Sequence, residues 1–270
     1  MPALNPVLFD VALTAYMAAT ATAVASLLSR REPWTRATAV LTRAGWLCHT
    51  VAIAVRGVEL GRVPLGTVPE VVSALIWAAV LLELWAARRF QVEALGAFVL
   101  PVVLVLGLTL PTELRTLVLD GRTRSAWIWA HVVLALVGLA ALCLNFAAAL
   151  MYLLQERQLK GKHPGSLYYG LPSLETLDRL GARALILGFP FLTAALVLGA
   201  MWARTAWGGA TFDPLAVFSP LAWMVYAATL AARLSGRWRG RRAAYFAVAG
   251  FCVLLLTLGA GLLLQGRHAS

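Results

Sequence analysis

The chain has 270 residues, of which 61% are hydrophobic and 13% charged, and its formal net charge is +11 at pH 7. Soluble domains have about 45–50% apolar and about 25% charged residues, so the composition excludes an ordinary soluble globular protein. Alternation with period two, the mark of a membrane barrel, is absent. We therefore expect an all-α fold, a polytopic transmembrane helical bundle in a lipid bilayer, and no nucleic-acid partner.

Eight apolar stretches approach the roughly 20 residues that a helix needs to cross the hydrocarbon core. In chain order they are residues 6–29, 37–56, 67–87, 94–111, 127–155, 180–203, 215–234 and 243–265. Clusters of arginine, glycine and proline separate these stretches, as expected for connections between helices. We predict a single integral membrane domain that covers residues 1–270.

The basic residues predict how the spans are oriented. Fifteen of the 23 Lys and Arg residues flank one set of span ends, seven flank the other set, and Arg43 lies within a span. The positive-inside rule places the richer side in the cytoplasm. Both termini, the start of the fifth span and the connection 207–214 then face outward. We expect a multi-pass protein of the bacterial cytoplasmic (inner) membrane.

Two charged residues lie within the early spans. Arg43 and Glu83 fall at similar depths near the inner ends of the second and third spans. A lone buried charge is costly in a membrane, so we expect these two side chains to form an ion pair. Glu70, near the outer end of the third span, is a candidate for orienting a histidine or for contacting a partner.

Two histidines and an aromatic connection are predicted to lie at the outer face. His131 lies about four residues inside the fifth span, roughly 6 Å deep, and His268 follows the eighth span. Residues 207–214 between the sixth and seventh spans carry Trp207, Phe212 and Asp213. Neutral imidazole is a good ligand of haem iron, so this group suits a flat apolar ligand with a central iron. Each residue also has an alternative interpretation. His131 could be an ordinary interfacial histidine and His268 a histidine of a disordered tail. The aromatic residues could form an ordinary interfacial belt, and Asp213 could only shape a turn.

The same segment resembles a known motif. Residues 207–223 read WGGATFDPLAVFSPLAW. They resemble the tryptophan-rich external "WWD" motif of the CcsA-type cytochrome c assembly proteins, especially the eight-span HemX-like branch. The flanking segments YLLQER at 152–157, LPSLETLD at 171–178 and WRGRRA at 238–243 are also similar to that family.

The resemblance implies a b-type, non-covalently bound haem held by His131 and His268 as metal ligands. It further implies cofactor-binding roles for the outer segment and for one intramembrane histidine: Trp207, Phe212, Asp213, Phe218, Trp223 and His49. Phe212 and Phe218 stand where the family usually has Trp, which keeps the aromatic surface and removes the indole donor. For His49 a second interpretation stays open, a core histidine satisfied by a helix carbonyl.

The resemblance implies a role in cytochrome c biogenesis, as a protein that delivers or handles haem at the outer face. We expect no catalytic residues in this chain and no attachment of haem by this chain alone. The chain could still be one component of a cytochrome c haem lyase or synthase. The implied partners are haem, a second membrane subunit and apocytochrome c. One alternative is a HemX-type regulator that acts on glutamyl-tRNA reductase through the basic inner connections, and another is a transporter that binds no haem.

Overall fold

The computed structural model describes residues 4–29, 31–108, 110, 126–161, 165–207 and 214–267. These residues form α-helices joined by short connections, with one 3-10 helix at Glu93–Leu95. The α-helices are α1 (Leu4–Ser29), α2 (Glu32–Leu60), α3 (Val68–Phe90), α4 (Gly96–Leu108), α5 (Ala126–Lys160), α6 (Ser166–Gly170), α7 (Leu174–Trp207), α8 (Pro214–Leu234) and α9 (Arg241–Arg267).

The ends of the helices follow local sequence signals. The Thr67 hydroxyl accepts a hydrogen bond from the backbone N–H of Glu70 and so caps the start of α3. Proline occupies the first turn of both α2 and α3, where its missing N–H costs no helical hydrogen bond. Gly61 ends α2 with a φ of 61°, a left-handed conformation that glycine adopts without strain.

The polytopic helical bundle predicted from composition is confirmed. Six helices in the described parts of the chain are long and apolar enough to cross a membrane: α1, α2, α3, α5, α7 and α9. The predicted fourth span corresponds to the shorter apolar segment Glu93–Leu108, and the predicted seventh span corresponds to α8. The sequence did not predict the short helix α6. The sidedness of the two termini stays a prediction.

The chain divides into two compact units. The first comprises Met1–Leu119 and Leu153–Leu177, and the second comprises Asp120–Tyr152 and Asp178–Ser270. Within the first unit α1 packs on α2 and α4, and α3 packs on α4. The single-domain organisation expected from the sequence stays a prediction.

The second unit is held together by close helix contacts. Gly138 of α5 lies so near α7 that a Cβ atom there would be 2.9 Å from the backbone nitrogen of Leu192 and 3.3 Å from the Gly188 carbonyl oxygen. Small residues allow helix backbones to approach in this way inside membranes. On α9, Gly250 receives the ring of the buried Tyr226 from α8. These contacts fix α5 against α7 and α8 against α9.

Candidate functional site

His131 is held by α7 in an orientation that leaves one ring nitrogen open. Its Nδ1 lies 2.6 Å from the carbonyl oxygen of Ala195. A carbonyl oxygen only accepts hydrogen bonds, so Nδ1 must carry the proton and donate it. In the tautomer with a single ring proton the lone pair is then on Nε2, for which the described residues provide no hydrogen bond. This is the arrangement in which a histidine binds a metal, because the second nitrogen fixes the tautomer and the ring orientation.

A glycine makes room for the His131 ring on α7. A Cβ atom at Gly199 would lie 2.8 Å from Cε1 and 2.9 Å from Nδ1 of His131. Ala195 and Gly199 are four residues apart and therefore lie on the same face of α7. The same face carries Gly188, which meets Gly138 of α5. Close contact between α5 and α7 thus brings the imidazole onto the α7 backbone.

Trp223 is anchored on a different face of α7. Its indole N–H donates to the hydroxyl oxygen of Thr193 at 2.9 Å, and its ring stacks on Phe189 with the centroids 5.8 Å apart. Phe189 and Thr193 are four residues apart, on a face turned by roughly 120° from the face that holds His131. The structure therefore places Trp223 in the α7–α8 contact and does not bring it onto the His131 face.

The remaining outer residues are only partly described. Phe218 is half-buried in the first turns of α8, and α7 ends at Trp207. From Ala195 to Trp207 the helix advances about 18 Å, so the aromatic connection starts well beyond the level of the His131 contact. The Trp207 side chain, Phe212, Asp213 and His268 lie outside the described residues. Their predicted roles stay predictions.

His49 lies in the core of the first unit and is fully buried. Its Nε2 is 2.9 Å from the Ser73 hydroxyl oxygen, and its Nδ1 is 3.4 Å from the Tyr16 hydroxyl oxygen. The ring of Phe9 packs edge-on against the imidazole at a centroid distance of 5.3 Å. Both ring nitrogens therefore have partners, which supports the interpretation as a core histidine, with hydroxyl groups in place of the expected carbonyl. A role of His49 in cofactor binding stays an untested prediction.

Glu70 does not face a histidine but joins two arginines. Its Oε2 lies 3.0 Å from Nη1 of Arg62 and 2.8 Å from the backbone N of Gly66, and its Oε1 lies 3.4 Å from Nη2 of Arg56. The carboxylate is 7% exposed, whereas the two guanidinium groups are about one-third exposed. Glu70 therefore fastens the connection between α2 and α3 to the start of α3. The sequence signal was available: an acid in the first turn of α3, preceded by one arginine near the end of α2 and another in the connection.

Replacing Glu70 by glutamine is expected to lower the midpoint of thermal unfolding. The amide keeps the shape but leaves Arg56 and Arg62 without a counter-charge, a loss of about 1–3 kcal/mol for hydrogen bonds to charged groups. The loss of the helical circular dichroism signal during heating measures this midpoint. Glu32→Gln is the matched control, since Glu32 forms an exposed pair that contributes little. Equal midpoints for both variants would contradict the structural role.

The expected ion pair between Arg43 and Glu83 is not formed as a direct contact in the described structure, although the charge of Arg43 still acts on the Glu83 carboxyl group. Glu83 is 5% exposed, and its Oε2 has no hydrogen-bond partner. Arg43 is exposed, and among the described residues no ion pair joins the two side chains. The inward face of α2 contains Thr38 and Thr42, and Arg43 lies one residue, about 100°, beyond it. Equal depth in two helices does not ensure that the side chains face each other.

The fold and the site geometry define a class of protein. It is a multi-pass helical membrane protein in which the imidazole of His131, near the start of α5, has one ring nitrogen without a hydrogen bond from the described residues. The sequence model of the cytochrome C assembly protein family matches residues 65–268, about three quarters of the chain. The chain belongs to this family, and it is a membrane protein of cytochrome c biogenesis.

Individual relatives agree with the family model. The chain is 30% identical over 242 residues to the cytochrome c biogenesis protein CcsA of Guillardia theta, covering 82% of this chain and 80% of that protein. It is 32% identical over 251 residues to the protein of the same name from Parasynechococcus marenigrum (strain WH8102), covering 83% and 82%. A third CcsA, from Synechococcus sp. (strain CC9902), is 31% identical over 251 residues. These relatives support neither the regulator of tetrapyrrole synthesis nor the transporter.

Proposed function

We propose that this protein binds haem at the outer face of the membrane and handles it for cytochrome c maturation. The observation that carries the proposal is the His131 ring, whose Nδ1 donates to the Ala195 carbonyl while Nε2 stays open. A histidine that would bind haem iron needs one ring nitrogen held by the protein and the other free, so His131 fits the group. When bound, the haem would be the group that is passed on to an apocytochrome.

His268 would be the second residue that binds the iron, and Trp207, Phe212 and Phe218 would form the aromatic surroundings of the haem, with Asp213 beside them. The haem is b-type and non-covalently held, because the chain contains no Cys-x-x-Cys-His sequence. Trp223 contributes indirectly: its contact with Thr193 keeps α8 against α7. His49 is assigned to the core of the first unit, where it stabilises the packing of α1, α2 and α3.

The proposed partners are apocytochrome c and a second membrane subunit, and the proposed location is a bacterial cytoplasmic membrane. In this proposal the chain does not attach haem alone but works together with the second membrane subunit. It acts instead as the haem-handling component of a cytochrome c haem lyase. The three relatives described above, each named for cytochrome c biogenesis, favour this role over an action on glutamyl-tRNA reductase.

A deletion strain tests this role at the level of the cell. Loss of the gene should remove haem-stained c-type cytochromes from membranes while 5-aminolevulinate stays at its normal level. The deletion complemented with the intact gene is the control. Normal c-type cytochromes together with excess 5-aminolevulinate would contradict the proposal and would favour the regulator of tetrapyrrole synthesis.

A further inference from the structure

The connection between α8 and α9, residues 235–240, has a fixed backbone. Oδ1 of Asp178 on α7 accepts a hydrogen bond from the backbone N of Gly240 at 3.1 Å and another from Nη2 of Arg233 at 2.9 Å. The amide of Trp238 donates back to a carbonyl in the last turn of α8 at 3.0 Å. One carboxylate therefore fastens both ends of this connection to α7.

Gly240 adds a steric constraint to these hydrogen bonds. Its φ is 61°, a conformation that residues with a side chain rarely adopt. A Cβ atom at this position would also overlap the phenol of Tyr152, which packs against the glycine from α5. The position of the connection is thus set by Asp178, by Tyr152 and by the absence of a side chain at Gly240.

Three arginines project from this fixed backbone without a counter-charge. Arg237, Arg239 and Arg242 are exposed, and none forms a hydrogen bond or an ion pair with the described residues. Asp178, the carboxylate bound to this connection, is already engaged by Arg233 and Gly240. Three positive charges this close together in the sequence repel one another, and an external anion would relieve the repulsion.

Aromatic side chains place these charges at the surface of the bilayer. Trp238 stacks on Phe246 with the ring centroids 4.4 Å apart and the planes inclined by 21°. The guanidinium of Arg241 lies 5.4 Å from the centroid of Tyr245. Tryptophan and tyrosine prefer the level of the lipid headgroups, and arginine beside them extends toward the phosphates. The connection is short and joins two apolar helices, so we expect the exposed guanidinium groups to lie at the level of the lipid headgroups.

We propose that residues 235–242 bind the phosphate of an anionic phospholipid headgroup, such as phosphatidylglycerol, in the leaflet that this connection faces. The guanidinium group is planar and donates two parallel hydrogen bonds, which match the oxygens of a phosphate. The aromatic stack beside the arginines favours a lipid over an acidic protein, because it holds the arginines close to the hydrocarbon. Basic clusters next to the end of a membrane helix recognise anionic lipids in this way.

The Asp178→Asn variant separates a built site from simple charge attraction. This change raises the net charge by one unit, so attraction alone would increase the retention of anionic lipid. The proposed site predicts the opposite, because the connection loses the carboxylate that fixes it. Native mass spectrometry of the full-length protein, released from micelles with equal phosphatidylglycerol and phosphatidylcholine, measures the ratio of the two retained lipids.

We expect this ratio to fall in Asp178→Asn and in Gly240→Ala, which changes no charge. In the triple variant Arg237→Gln, Arg239→Gln and Arg242→Gln, the ratio should fall by about fivefold per arginine removed. Glu32→Gln is the matched control, because it adds the same charge as Asp178→Asn at an exposed position in the other unit. Its ratio should stay at the level of the unmodified protein or rise slightly.

Three results would overturn the proposal. The first is an unchanged lipid ratio in the triple arginine variant. The second is an equal rise in Asp178→Asn and Glu32→Gln, which would mean that only net charge matters. The third is displacement of phosphatidylglycerol by excess inorganic phosphate, or loss of a co-purified acidic protein at a constant lipid ratio, since either would identify a different ligand. If Asp178→Asn does not fold, Gly240→Ala and the triple variant decide the question.

Discussion

Purified protein in which His131 is replaced by alanine is expected to contain little haem. In the proposed site the imidazole would bind the haem iron, and changes to residues that only orient a metal ligand already lower metal affinity by about 10–100-fold. Removing the ligand itself should therefore weaken haem binding by more than about a hundredfold on the same scale. Soret absorbance per mole of protein, checked by a pyridine haemochrome assay, measures the loss.

Two further variants test whether the loss of haem is caused by removal of the iron-binding imidazole. His163→Ala removes a histidine from the basic connection after α5 and should leave the haem content unchanged. His131→Gly should recover haem when free imidazole is added, because the small ligand fills the space left by the side chain. A full Soret band in His131→Ala, or no recovery with imidazole, would contradict the assignment of His131.

The Gly199→Ala variant is expected to produce the second-largest effect without touching any ligand. The added Cβ would lie within 2.9 Å of two atoms of the His131 ring, closer than real carbon contacts allow. The ring must then leave its hydrogen bond to the Ala195 carbonyl, and Nε2 changes direction. Loss of such an orienting contact lowers metal affinity by about 10–100-fold. Haem titration of the apo-protein measures the affinity.

Gly181→Ala is the control on the same helix. A Cβ there would meet its nearest neighbour at 3.5 Å, which is ordinary van der Waals contact. This variant should bind haem as tightly as the unmodified protein and unfold at a similar temperature. Equal haem affinity for Gly199→Ala and Gly181→Ala would show that the position of the His131 ring on α7 has no importance for the site.

Much of the fold could be predicted from the sequence because a bilayer constrains it strongly. A helix that crosses hydrocarbon must satisfy its own backbone and must be apolar over a fixed length, so α1, α2 and α5 are visible as long apolar runs. Proline and glycine marked their ends. The short helix α6 was missed since five residues, Ser166–Gly170, carry too weak a signal.

The candidate site could be predicted only in part. The position of His131 near the start of an apolar span indicated a functional histidine. Its contacts with Ala195 and Gly199 could not be predicted, because they depend on how α5 meets α7 through Gly138 and Gly188. Backbone carbonyls occur at every residue, so a sequence does not show which one a side chain selects.

The second and third spans also show that the depth of a side chain in the membrane can be predicted from the sequence, whereas the direction in which it points cannot. Arg43 and Glu83 were paired because their depths agreed, but Arg43 lies beside the inward face of α2 and is exposed. His49 shares that inward face with Thr42, and it meets hydroxyl groups from two neighbouring helices. Depth follows from counting residues along a span, whereas direction follows from the packing of the helices.

Near-infrared magnetic circular dichroism of the ferric haem protein tests the central claim most directly, because its charge-transfer band identifies the axial ligands. We predict a bis-histidine signal for the unmodified protein and a histidine–methionine signal for His131→Met. A bis-histidine signal that persists in His131→Met at full haem content would contradict the account, since the iron would then be bound by other residues.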